Sequence, residues 1–217
     1  MNRQAQVAFP HDLLEIPWGE ILSRRDDGLR RLLWEPLFLP LSPRKVTYEE
    51  FLAWADEDTL AEWVDGEVVM TSPASRTHQT IADFLIKVIG TYVEARELGI
   101  VISAPFQMKL ETGREPDLIF LAQDHLDRLK ETYLDGPADL VVEIVSPESG
   151  ARDRGGKFYE YARGGVPEYW LLDPEVQWAE FYRLEGNRYR MAFSGSEGRY
   201  ESRSVPGFWL QVDWLWQ

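Results

Sequence analysis

Residues 139–173 read DLVVEIVSPESGARDRGGKFYEYARGGVPEYWLLD. Leu140, Val141, Val142, Ile144 and Val145 form a short apolar, β-branched run, the pattern of a strand covered on both faces. A helix beginning near Asp153 is expected to stop at Gly164-Gly165, and EYWLLD reads as the next strand. Strand, helix and strand in this order point to a mixed α/β layer. Glu143 does not belong in such a run. An ionised carboxylate there is costly to desolvate unless a cation or metal ion compensates it.

Working outward, DLIFLA (117–122) is a second strand candidate. Its first residue, Asp117, follows Pro116, which removes a backbone donor and fixes the geometry at the strand start. IVISAPFQMKL (100–110) is a third strand candidate. Residues 77–97 place Ile81, Phe84, Leu85, Val88, Ile89, Tyr92 and Val93 at helical spacing. AEWVDGEVVMTSP reads as two short strands around Asp65-Gly66, a dipeptide suited to the positive φ angles of a tight turn. VTYEEFLAWADEDTL carries a capping-box spacing at Thr47 and Glu50. The tail, AEFYRLEGNRYRMAF and RYESRSVPGFWLQVDWLW, reads as hairpin strands, with Trp170, Trp209, Trp214 and Trp216 as large groups for burial.

The 217 residues include 23 Lys+Arg and 37 Asp+Glu, a net charge of −14, which counts against coating nucleic acid by bulk charge. There is no Cys, which removes disulfides, thiol nucleophiles and Cys-based zinc sites, and the three His are well spread. No apolar run reaches the length of a spanning helix, and the first residues do not read as a signal peptide, so a cytoplasmic protein without a membrane partner is expected. Up to Lys45 the net charge is +1; residues 1–45 read as an arm with a Pro-rich connection (Pro36, Pro40, Pro43), and 46–217 as the main domain. The acidity is local. Residues 46–67 hold eight acids and no base, whereas 151–165 and 183–203 each carry a net +2, a basic edge for weak, salt-sensitive contact with nucleic acid.

Two carboxylates from neighbouring strands, Asp117 and Glu143, are suited to a hard divalent cation such as Mg²⁺ or Mn²⁺. Lys157, near the start of the following helix, supplies a cation that orients or deprotonates an attacking water. Taken singly, Glu143 paired with Arg152 or Arg154, and Asp117 as a turn cap, are equally good readings. His78 reads first as a capping or surface residue, with its place beside the hairpin keeping it a weaker site candidate. Phe158 and Tyr161 read as core packing.

The series EWVDGEVVMTSPASRTHQ, EPDLIFL, DLVVEIVSPES and RDRGGKFYEYARGGVPEYWLLDP resembles the Uma family of restriction-like endonucleases, within the PD-(D/E)xK nuclease superfamily. The resemblance covers about residues 46–217. It implies a restriction-endonuclease-like mixed β-sheet flanked by helices, with an additional N-terminal hairpin and C-terminal strands. It also implies a magnesium-dependent endonuclease acting on DNA, with Asp117 and Glu143 as metal-binding, catalytic carboxylates. The superfamily lysine usually lies two positions after the second acid, where this chain has Val145; Lys157 is the matching position in this family. Glu62 matches a further acidic position as an auxiliary ligand, with Glu67 behind it in the same hairpin. Restriction-like nucleases often act as dimers, which makes a homo-oligomer the expectation. The alternative is a non-catalytic member of the fold that binds a protein or nucleic-acid partner. A sugar or small-molecule hydrolase using the two acids as an acid–base pair leaves Lys157 without a role.

Overall fold

The computed structural model describes residues 45–55, 59, 61–70, 74–146 and 149–217; the arm expected over 1–45 lies outside them except for Lys45. The chain divides into two units, Met1–Thr59 and Leu60–Gln217. In the first, α1 (Tyr48–Trp54) begins with the expected capping box: the Thr47 hydroxyl accepts from the Glu50 N–H at 3.1 Å, and the Glu50 carboxylate accepts from the Thr47 N–H at 2.8 Å.

The second unit is built on a six-stranded sheet. Its strands are β3 (Gly99–Ser103), β6 (Leu118–Ala122), β8 (Leu140–Ile144), β9 (Glu168–Asp173), β10 (Trp178–Glu185) and β11 (Arg188–Gly195), in the spatial order β11-β10-β9-β8-β6-β3. Only β8 and β9 are parallel neighbours here. A parallel pair needs a crossover connection, and residues 145–167 supply it with α3 (Gly150–Asp153) and α4 (Gly156–Gly164). The single helix expected from Asp153 is thus two, divided at Arg154-Gly155. Helix α4 stops where expected, at Gly165, whose φ of 88° suits the residue without a Cβ.

Strand alternation sorts the core into two sides. Leu118 and Phe120 of β6, Leu140, Val142 and Ile144 of β8, and Trp170 and Leu172 of β9 join Ile81, Leu85, Ile89 and Val93 of the long helix α2 (Arg76–Ala95). Ile119, Leu121, Val141, Tyr169 and Leu171 point the other way and pack with Tyr161 and Val166. Glu143 has the parity of Val141, so it projects toward the α4 side.

A second sheet has the order β2-β1-β5-β4-β7, comprising β1 (Ala61–Val64), β2 (Glu67–Met70), β4 (Gln107–Lys109), β5 (Gly113–Arg114) and β7 (Tyr133–Asp135). The β1–β2 hairpin turns at Asp65 and Gly66, with φ of 52° and 87°. Residues 100–110, expected as one strand, are broken: β3 ends at Ser103 in one sheet and β4 begins at Gln107 in the other, on either side of Pro105, which has no N–H for a ladder. Beside the six-stranded sheet expected of a mixed α/β layer, the structure thus adds this second sheet and a small ribbon, β12 (Arg199–Glu201) with β13 (Trp209–Gln211). Trp170 is fully buried, but Trp209 and Trp214 are each 40% exposed, contrary to expectation. Leu210 takes the inward side of β13, and period two turns Trp209 outward. No helix among the described residues is long and apolar enough to cross a membrane.

Candidate active site

Asp117 directly precedes β6. The register pairs Leu118 with Val142, so one step further along the two antiparallel strands Asp117 comes opposite Glu143, on the same face. Asp117 Oδ2 accepts the N–H of Ile144 at 2.6 Å, and Oδ1 lies 3.2 Å from Nε2 of His78. It therefore bonds to the neighbouring strand instead of capping its own turn. His78 stands in the first turn of α2, whose cap is Ser75; the Ser75 hydroxyl accepts from the His78 N–H at 3.2 Å. Burial works against the charged form of His78, but Asp117 outweighs it and raises the imidazole pKa.

Glu143 pairs with neither Arg152 nor Arg154. Both of its oxygens lie 3.0 Å from Lys157 Nζ, and Oε1 accepts the Tyr161 hydroxyl at 2.6 Å. Tyr161 is one helical turn beyond Lys157, which brings both to the same face of α4. The Lys157 ammonium also meets Glu62 Oε1 at 2.9 Å and Asp153 Oδ1 at 3.5 Å. Burial alone would lower the lysine pKa; Glu143, Glu62 and Asp153 reverse that and raise it above its ordinary value. The three carboxylates thus favour the ammonium form of Lys157.

Glu62, expected only as an auxiliary residue, is 1% exposed on β1 and is held from two sides. Arg114 Nη1 donates to its Oε2 at 3.2 Å, and the Glu115 N–H donates to its Oε1 at 3.3 Å. Burial raises the Glu62 pKa, but Lys157 and Arg114 together bring it below the usual glutamate value. Arg114 is fixed in turn by Glu160, which accepts from Nε at 2.8 Å and from Nη2 at 2.7 Å, while the Thr112 hydroxyl donates to the other Glu160 oxygen. Glu67 lies at the start of β2, exposed, and takes no part in this cluster.

These groups border a cleft of about 700 Å³, with Glu62, Glu115, Asp117, Glu143 and Lys157 on its wall and His78 beside them. The chain's comparison with known families bears directly on it. The sequence model of Uma2, described as "Putative restriction endonuclease", matches residues 48–213, more than half of the chain. The chain belongs to the Uma2 family. The Uma2 chain is also 27% identical over 132 residues to the uncharacterized protein slr1290 of Synechocystis sp. (strain ATCC 27184 / PCC 6803 / Kazusa), an alignment covering 59% of this chain and 68% of that protein. Its fold is similar to the crystal structure of a "putative nuclease belonging to DUF820" from Anabaena variabilis ATCC 29413. The TM-score is 0.66 at 17% identity, covering 78% of this chain and 97% of the other. The fold is that of the restriction-endonuclease-like expectation.

Four members of the Uma2 cluster escaped sequence reasoning: Asp153, Tyr161, and the Arg114–Glu160 pair. Asp153, Lys157 and Tyr161 recur every four residues, a helical stripe visible in the sequence in principle. Glu115, adjacent to the Pro-Asp pair, was also overlooked. Its pKa is pushed up to about 7 by burial and by the neighbouring Glu62 charge, against a 2.9 Å hydrogen bond from Gln107.

Asp117 and Glu143 present carboxylate oxygens, the donors that a hard divalent ion takes, with both Glu143 oxygens held by Lys157 and Tyr161. Burial, together with the neighbouring carboxylates, holds Glu143 and Asp153 above the usual carboxylate range despite Lys157. Asp153 Oδ1 is buried without a hydrogen bond, its cation being Lys157 Nζ at 3.5 Å. Among the described residues no three His, Asp or Glu side chains form a ready-made metal shell.

Proposed function

We propose that this Uma2 chain is a divalent-metal-dependent endonuclease that hydrolyses phosphodiester bonds in DNA. The observation that carries the reading is the convergence of Asp117 and Glu143 on one sheet face, with the Lys157 ammonium on Glu143 and an open cleft beside them.

Asp117 and Glu143, with a backbone carbonyl next to Glu143, would hold Mg²⁺ or Mn²⁺. When bound, such an ion supplies neutralising charge for the phosphate and lowers the pKa of a water. Lys157 keeps Glu143 aligned, and its ammonium offsets negative charge that develops in the cleft. Glu62 fixes the ammonium from the second sheet, and Tyr161 fixes the far side of Glu143. The Ile144 N–H sets the rotamer of Asp117, which preorganises the two acids before substrate arrives.

The test is a titration of Mn²⁺, or of Ca²⁺ as a non-cutting mimic, followed by melting temperature and by cleavage of plasmid DNA. An ion that binds only the folded form raises the melting temperature, and Mg²⁺ or Mn²⁺ should license cutting that EDTA stops. No shift at millimolar metal, together with no cutting, would favour a non-catalytic member of the fold.

A further inference from the structure

The basic stretch at 151–165 counts four cations in the sequence, and the structure engages three of them with acids. Lys157 faces Glu143, Glu62 and Asp153; Arg154 bonds to Asp173 at 3.0 Å and lies 3.5 Å from Glu180; Arg163 bonds to Glu111 at 3.0 Å. Arg152 is different. It has no ion pair and no side-chain hydrogen bond among the described residues, its Nε is buried without a partner, and it lines the same cleft as Asp117 and Glu143. His78 Nδ1, in that cleft too, is also buried and unpartnered.

A guanidinium presents five donors in a fixed fork and cannot discharge by losing a proton. Its buried Nε–H has no acceptor, which is unfavourable unless one arrives from outside. The ligand that a planar, permanently charged fork fits is a tetrahedral oxyanion. We infer that Arg152 is the anion-binding residue of the cleft, donating to a non-bridging oxygen of the substrate's phosphodiester group. This rests on the proposed nuclease reading and adds to it the contact that seats the phosphate against the acidic cluster. The acids repel a polyanion, and among the described residues Arg152 is a cleft cation that no carboxylate has already claimed.

The experiment compares wild-type protein, Arg152→Gln and Arg152→Lys on a duplex oligonucleotide with Mn²⁺ over a range of salt concentrations, with melting curves run in parallel. Loss of one charged phosphate contact should lower kcat/KM about tenfold or more and make the slope of log(kcat/KM) against log[salt] shallower by about one. The lysine variant should keep the wild-type slope. A protection measurement on wild-type protein needs no variant: bound oligonucleotide, with Ca²⁺ in place of Mn²⁺, should shield Arg152 from phenylglyoxal, read by peptide mass mapping. Wild-type protein that cuts while Arg152→Gln matches it in rate and slope, or Arg152 modified equally with and without oligonucleotide bound, overturns this inference and leaves the nuclease reading standing. Wild-type protein that neither cuts nor binds the oligonucleotide overturns both.

Discussion

Asp117 reaches the strand beside its own, where its Oδ2 accepts the backbone N–H of Ile144 at 2.6 Å. The bond ties the first acid of the site to the residue that follows the second, so Asp117 and Glu143 are set side by side by main-chain register and not by side-chain chance.

That tie separates stability from chemistry at one position. Asp117→Asn retains an oxygen acceptor for the Ile144 N–H but loses the charge that a cation needs. Asp117→Ala removes both and leaves a buried donor unsatisfied, a cost of about 1–3 kcal/mol. For a domain of this size each kcal/mol lowers Tm by about 2–4 °C. We expect Asn to melt near wild type and Ala several degrees lower, with both inactive, as measured by calorimetry beside a cleavage assay.

Lys157 compensates three buried carboxylates, Glu62, Glu143 and Asp153. Replacing it with Met leaves those charges facing one another. Removing one partner of a buried ion pair costs about 3–5 kcal/mol. Urea unfolding of Lys157→Met should show a loss of that size, whereas an exposed pair such as Arg190–Glu185, at 75% and 59% side-chain exposure, should contribute little when broken.

Glu115 gives a pH signature in the metal-free protein. Its carboxyl titrates at about 7 in the fold against an ordinary value of 4.5. Between those values the folded protein holds a proton that the unfolded chain has released, so Glu115 makes stability fall as pH rises through that window. Glu115→Gln should therefore melt above wild type at pH 8, and the difference should close as pH drops toward 4.5. Thermal melts in EDTA at stepped pH values test this, and a difference independent of pH would refute it.

Much of this architecture was open to reading in the sequence, for physical reasons specific to each residue. Glu143 announced itself because a charge inside Leu140–Val145 contradicts its surroundings. EYWLLD, the long helix and the Asp65-Gly66 turn were legible because periodicity and turn chemistry act locally. The second sheet was not legible: β4, β5 and β7 have two or three residues each, too few for a period, and the pairings of β5 with β1 and of β4 with β7 join residues far apart in the chain. The same distance hid the Arg114–Glu160 link, which spans 46 positions. Glu62 came only through the family resemblance, since an acid in a short hairpin looks like any surface acid until Arg114 and Lys157 close around it. The basic edge counted at 151–165 could not be told from its own ion pairs, and of its four cations Arg152 alone has no ion pair among the described residues.

The central claim is that Asp117 and Glu143 together carry metal-dependent hydrolysis, and the most direct measurement is plasmid cleavage by wild-type protein, Asp117→Asn and Glu143→Gln. We predict nicking and linearisation by wild-type protein with Mg²⁺ or Mn²⁺, abolition by EDTA, and a loss of at least about 10²-fold in each variant. Variants that cut as fast as wild type, or wild-type cutting that survives EDTA, would contradict it.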